Sequence, residues 1–568
     1  MKRKFNFGLL AILLETALAV GSVWAQAPQP VISVSVQSLE NAAADLVDLT
    51  AESKDIQGSM GAVMLQSLVS QGTVKDAIDM TRPVGLFLFP NPEGMKHPFA
   101  AAVIPVRDME KALALVPKSV TQEKLGDLGW KLSWKVGDGE SARTDSVFLY
   151  PFKDWCFVSQ IDAASLKEQA NAQTAESLIQ TLQTEAAGND FALSFFVNVV
   201  PQALRAHIFG EFMEKMEKCL AEKRGKCFSE KMASVFEAEL KKLAESAQRH
   251  QYESPISKVT QSYSWDADAN CLKSVQRFTG KDSLRHVKTL RRLAQGNETT
   301  LANFGTKDSL ASFQLNADVK EFASEDVDKL WAMHMENVKE KLFARLDEEK
   351  AKAVFGFFEK NSDLFRGIAF NPETEIAGAV YADETRLTLT SARCVPDGYA
   401  LEKEFQTVAE HMKKKKGENF EKNVLDAKRT EDGAMHIYSA NFVPEKPLPE
   451  KVNALFDGKV PACLIFTPNA VYWAIGTNAL ETLKNSIQNE TQKAAAPVFS
   501  MRIAAQDIVT VASACGKIPA ELKEKLAKVG EAEVSLQVAP LADGVEIVTE
   551  IPAKILEMLV LARDAAEK

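Results

Sequence analysis

Few residues of this chain combine the types and spacing that chemistry needs. The segment TVAEH, Thr407 to His411, has the shape of the HxxEH pattern of zinc peptidases, with threonine in place of the first histidine. Zinc needs two imidazoles one helical turn apart, and Thr407 supplies none. What remains is a helix carrying polar Glu410 and His411 near its end. The seven histidines are His97, His207, His250, His286, His334, His411 and His436, and none lies within five residues of another. His334 sits between Met333 and Met335, and both residue types can ligate copper. Neighbours at i and i+1 do not share a helix face, so ordinary helix packing is expected there. Glu336 and Glu340 are spaced for general acid–base work. Lys339 and Lys341 stand beside them, which makes solvated ion pairs the expected state. Trp130, Trp134 and Trp155 could line a sugar-binding cleft, or fill a core. The chain has no GxxxxGK[ST], GxGxxG, GxSxG, CxxC or HExxH. These patterns name no catalytic residue, no cofactor-binding residue and no metal ligand.

The cysteines offer a different chemistry. Cys156, Cys271, Cys394, Cys463 and Cys515 are isolated, whereas Cys219 and Cys227 flank LAEKRGK in a strongly helical region. On one straight helix, at ~1.5 Å rise per residue, the pair would stand about 12 Å apart. A disulfide needs Cα atoms within roughly 7 Å. A bridge therefore requires a chain reversal, which Arg224-Gly225 can supply, and a helical hairpin stapled by Cys219–Cys227 is expected. Such a bridge persists only in an oxidising compartment.

The first residues point to that compartment. Lys2, Arg3 and Lys4 precede an apolar stretch from Phe5 to about Val20, then Gly21, Ser22 and Ala25 lead to Gln26. This is the layout of a secretory signal peptide cleaved between Ala25 and Gln26, although Glu15 fits its apolar region badly. Cleavage would change the net charge of −10 on 568 residues to −12 on 543. The acid excess argues against a nucleic-acid partner, which would call for a basic stripe. The basic run Lys413 to Lys416 is followed by Gly417 and reads as the end of a helix. The best later stretch, Ile555 to Ala562, is eight residues long and ends in charged Arg563 and Asp564, far short of a membrane span. A soluble periplasmic or secreted protein is expected.

The elements that must position these residues recur along the chain. Four segments run from an alternating strand straight into a helix: VISVSVQSLENAAADLV from Val31, FALSFFVNVVPQALR from Phe191, LASFQLNADVKEF from Leu310 and VFSMRIAAQDIV from Val498. Ser38 is placed to cap the first helix, and Asp318 with Glu321 reads as a capping box in the third. FLYPFKDWCFVSQIDAASLKEQ from Phe148 resembles LIFTPNAVYWAIGTNALETLKNS from Leu464, and late hairpins turn at Asp266 to Asn270 and at Asp543-Gly544. The matched order suggests four units after the signal: 26–175, 176–300, 301–495 and 496–568. Residues 202–249 and 319–360 read as helical insertions whose stripes face a core. The expected fold is α+β: internally duplicated strand-helix units with mainly antiparallel sheets and long amphipathic helices.

The strand-helix units, the LYPFKDWCFVSQIDAASL hairpin and the late hairpin DADANCLKSVQRF together resemble a group of large exported proteins of planctomycetes and verrucomicrobial relatives, a group without an established function. The resemblance implies a Gram-negative-type exported protein and supplies no catalytic residue. With no catalytic constellation in sight, the expected role is a non-enzymatic scaffold or binding protein of the cell envelope, with a protein or envelope component as partner. The alternatives are a hydrolase of envelope or extracellular polymers, its site assembled from distant residues, and a carrier of an apolar ligand.

Overall fold

Alternating apolar residues in short runs, punctuated by turn formers, make antiparallel strands. The computed structural model describes residues 30–52, 56–89, 99–136, 143–159, 172–200, 202–223, 256–280, 298–301, 308–318, 324–345, 373–383, 385–416, 418–444, 455–488, 497–505, 520–529 and 532–566, with single positions or pairs at 304–305, 453 and 494–495, between 233 and 248 and between 348 and 362. The chain divides into two units, Met1–Lys215 with Lys242–Lys281 and Met216–Lys241 with Asp282–Lys568.

Unit 1 carries β1 (Ile32–Val36), β2 (Val84–Phe89), β3 (Phe99–Pro105), β4 (Thr121–Lys124), β5 (Trp130–Val136), β6 (Arg143–Phe152), β7 (Trp155–Ser159), β8 (Phe191–Phe196), β9 (Ile256–Asp266) and β10 (Cys271–Gly280). They lie in the order β10-β9-β8-β1-β2-β3-β7-β6-β5-β4, antiparallel throughout. Unit 2 carries β11 (Ala311–Asp318), β12 (Glu373–Ala382), β13 (Leu387–Cys394), β14 (Val424–Asp432), β15 (Met435–Phe442), β16 (Val460–Phe466), β17 (Ala470–Gly476), β18 (Phe499–Ala504), β19 (Glu533–Leu541) and β20 (Gly544–Pro552). Their order is β20-β19-β18-β11-β12-β13-β17-β16-β15-β14, again antiparallel. Strand n of unit 1 thus holds the same place as strand n+10 of unit 2.

The described helices are α1 (Leu39–Glu52), α2 (Ile56–Val69), α3 (Gly72–Ala77), α4 (Met109–Ala114), α5 (Ala172–Ala186), α6 (Gln202–Lys223), α7 (Ser324–Arg345), α8 (Gly398–Lys416), α9 (Glu418–Asn423), α10 (Ala479–Gln488), α11 (Ala520–Val529) and α12 (Ala553–Ala566). This corrects the expected fold. Extended antiparallel sheets dominate, and nine of these twelve helices have fifteen residues or fewer. The long helix α6 leaves part of its apolar surface exposed. In α6, Met213 and Leu220 are buried while Phe212 and Met216 stay 48% and 40% exposed. Strand-helix units do not stand apart either, because β8 pairs along the whole of β1, from Ile32 with Phe195 to Val36 with Phe191. Asp318 ends β11, and α7 begins only at Ser324.

Both faces of the unit 1 sheet are covered. On one face Leu178, Ile179 and Leu182 of α5 pack on Phe87, Phe89, Val103 and Phe157. Glu185, near the end of α5, binds Ser33 of β1 and Lys258 of β9, the latter at 2.8 Å. On the other face α1 to α3 place Leu39, Ala43, Val69 and Val74 against Val84 and Ile104. Ser38 caps α1, its hydroxyl accepting from the Asn41 amide (3.1 Å) and donating to the Met80 carbonyl (2.9 Å). Coverage on both sides explains why β2 reads as the nearly continuous apolar run VGLFLF. In unit 2, α10 lays Ala479 and Leu483 on Ala392, Ile437, Ile465 and Tyr472.

Candidate functional site

The third strand of each sheet leads into a helix through a matching segment, Val106-Arg107-Asp108 after β3 and Val395-Pro396-Asp397 after β13. Each valine amide donates to the turn before the seventh strand: Val106 to the Asp154 carbonyl (2.9 Å), Val395 to that of Asn469 (2.8 Å). Each aspartate caps the helix that follows. Asp108 accepts from the Glu110 and Lys111 amides (3.0 and 3.1 Å), and Asp397 from the Ala400 amide (2.9 Å). Counting on from the two aspartates, Leu113 of unit 1 corresponds to Glu402 of unit 2, and Val116 to Phe405.

In unit 1 the helix is α4, which stops short of Pro117, a residue that cannot continue it. Leu113 is buried with Leu132, Val147, Leu149 and Cys156. A cavity of about 90 Å³ lies between Met109, Ala112 and Val116 on the helix side and Ile104, Leu132 and Val158 on the sheet side. Leu115, 39% exposed, stands at its mouth. Every lining side chain is apolar apart from the Cys156 thiol. Burial pushes that thiol up to about 12, so it is no nucleophile near neutral pH.

In unit 2 the helix is α8, which runs from Gly398 to Lys416. Phe405 packs edge-on against Tyr438 of β15 (centroids 5.1 Å) and beside Phe466 of β16 (5.7 Å). Glu402, 4% exposed, takes the place of Leu113 and collects donors. Its carboxylate accepts from Tyr438 Oη (2.5 Å), from Arg429 Nε and Nη2 (3.1 Å each) and from His436 Nδ1 (2.5 Å). Gln406 donates to Tyr438 Oη (2.6 Å), Arg429 also reaches Glu431 (2.6 Å), and Tyr399 stacks on His436 at 4.5 Å. Burial pushes the Glu402 carboxyl up, but the bonds from His436, Tyr438 and Arg429 more than offset it and hold it below the usual carboxylate range. Burial and the neighbouring Glu402 raise the Tyr438 phenol.

A carboxylate behind an imidazole is an arrangement suited to proton transfer. Here the same carboxylate is committed to Arg429 and Tyr438, and the cluster fastens α8 to the hairpin of β14 and β15. Sequence inspection missed it because Glu402 and His436 lie far apart along the chain. The repeated V-x-D segment was the signal that could have found both places.

The residues singled out by sequence scatter. Trp155 is buried under α5, while Trp130 and Trp134 pack on the opposite face with Leu132, so the three tryptophans do not share a cleft. His334 stacks on Trp331 within α7 (5.5 Å). Thr407 donates its hydroxyl to the Lys403 carbonyl inside α8 (3.0 Å). The side chain of His411, and the positions Ala25, Gln26, Cys227 and Cys515, lie outside the described residues. Cys219 is an exposed free thiol on α6, so the staple with Cys227 rests on a partner outside them. Among the described residues, no three His, Cys, Asp or Glu side chains cluster as a metal site, and no helix is long and apolar enough to cross a membrane. No protein-family model, curated protein or solved structure matches this chain.

Proposed function

We propose that this is an exported, non-enzymatic binding protein of the cell envelope, and that unit 1 grips an apolar part of its ligand beneath α4. The observation that carries the reading is the cavity walled by Ile104, Leu132, Val158, Met109 and Val116, a concave apolar site with an open mouth. Export is supported by the arrangement of Lys2 to Ala25. The test is titration of the purified protein with an anilinonaphthalene sulfonate dye, whose emission rises and shifts to the blue in an apolar site. Wild-type protein is expected to bind it. Ala112→Trp, which fills the cavity from the half-buried helix side, should weaken binding at least tenfold with an unchanged circular dichroism spectrum. Absence of dye binding by folded wild-type protein, or equal binding by the variant, would overturn the reading.

A further inference from the structure

Strand pairing in unit 2 puts Phe313 of β11, Gly378 of β12, Ser391 of β13 and Trp473 of β17 in one row across a single face of the sheet. Leu389 and Ile475 stand in the next row on one side. Arg393 stands in the next row on the other, between Ile376 and Val471. Gly378 gives Phe313 its place, because a Cβ there would meet the phenyl ring. Phe313, Leu389, Trp473 and Ile475 are 36–43% exposed, so this apolar face meets solvent. Unit 1 treats the equivalent face differently: Ile104, which holds the place of Arg393, is buried with residues of α1 to α3. Arg393 is half-buried, and its Nε and Nη2 have no hydrogen-bond partner among the described residues. Burial draws its guanidinium below the usual arginine range, with no carboxylate to offset that. Arginine nevertheless stays charged in a protein, so the face holds an uncompensated cation.

We infer that this face of unit 2 binds a long-chain carboxylate, its charged end on Arg393 and its chain running over Ser391 toward Leu389 and Ile475, between Phe313 and Trp473. The inference goes beyond the unit 1 cavity, whose lining has no cation. A guanidinium is a planar fork that matches a carboxylate. One cation balances one negative charge, whereas a phosphate monoester carries about 1.5 to 2 near neutral pH. From Arg393 to Leu389 the strand rises about 13 Å, enough to lay down an extended alkyl chain. The face has little else to offer a polar group. Strands β12, β13 and β17 are paired on both sides, so their backbone amides are spent in the sheet. Ser391 donates its hydroxyl to the Ala377 carbonyl (3.0 Å). Such a face suits an occupant that is polar at one end alone, and not a peptide, whose every residue brings an amide and a carbonyl to be satisfied.

The experiment titrates the full chain by isothermal calorimetry with laurate, dodecan-1-ol, dodecyl phosphate and a Leu/Glu amphipathic peptide, each below its aggregation concentration. Laurate is expected to bind at least tenfold more tightly than the other three. The unit 1 cavity cannot produce that preference over the alcohol, because its lining is apolar. Arg393→Met removes the charge and keeps a long side chain. It should weaken laurate binding at least tenfold while raising the melting temperature, since a half-buried, unpaired charge is gone. Trp473→Ala, at an exposed position, should weaken laurate and dodecan-1-ol alike. Equal binding of dodecan-1-ol, no laurate binding by the folded wild type, or undiminished binding by folded Arg393→Met or Trp473→Ala would overturn the inference and leave the unit 1 cavity to its own dye test. A lower melting temperature for Arg393→Met would show the guanidinium to be paired and would overturn it too. Tighter binding of dodecyl phosphate or of the peptide would overturn the carboxylate or the alkyl chain as the occupant.

Discussion

Replacing Glu402 by glutamine keeps the shape of the side chain and removes its charge. Tyr438 and His436 each make a 2.5 Å bond to a carboxylate whose side chain is 6% exposed. A hydrogen bond to a charged group contributes about 1.5–3 kcal/mol. The Arg429 side chain is 40% exposed, so solvent screening limits its pair with Glu402 to about 1 kcal/mol or less. Glutamine retains one acceptor oxygen, so roughly half of the sum is lost, about 2–3 kcal/mol. For a unit of about 300 residues that corresponds to about 3–5 °C in melting temperature. The difference should depend on pH in one direction. The folded pKa of Glu402 lies below its unfolded value, about 4.3. Its stabilisation is then fully present above the unfolded value and lost as pH falls through the folded one. Differential scanning fluorimetry of both proteins at pH 7, 5 and 3 is expected to show a gap at pH 7 and 5 that narrows by pH 3. A gap under 1 °C at pH 7, or one unchanged at pH 3, would refute the argument that the charge of Glu402 fastens α8.

Asp45 presents the opposite sign: burial first, then the charge and hydrogen bond of Asp190, push it up to about 6. Its contribution to stability is present below the unfolded carboxylate pKa and lost as pH rises through about 6. Asp45→Asn should therefore raise the melting temperature at pH 8 and leave it nearly unchanged at pH 4. Leu182, 1% exposed under α5, should cost about 3 kcal/mol as alanine, read as a lower urea midpoint at constant slope. Native labelling with a maleimide, read by mass spectrometry, should modify exposed Cys219 without added reductant and spare buried Cys156 until denaturant is present. Labelling of Cys219 only after reduction would instead show it bridged.

Several local features were legible in the residues. The turn after Phe152 lies where FKD marks it, with Lys153 at φ 55°, and the late hairpin turns through Asn270 at φ 54°. The basic run ending at Lys416 closes α8. Ser38 caps α1 as its place before LENAAADLV suggests. The helices were misjudged because apolar residues at helical spacing, such as Phe212 and Met216, stay exposed in the fold. The Glu402 cluster was invisible because its donors come from two strands of a hairpin and its acceptor from a helix folded back over them.

What the sequence determined by itself was local: strand periods, turn positions and caps, each set by interactions among neighbours within a few residues. Tertiary structure decided the rest. Pairing of Ile32 with Phe195 merges strands that read as separate units, and no local preference of either segment specifies that partner. The unit 1 cavity is a small difference between the volumes of side chains drawn from α4, β3, β5, β6 and β7. Such a difference exists only once those five segments are packed together, which is why Val116 looked ordinary in the chain and stands beside a void in the fold.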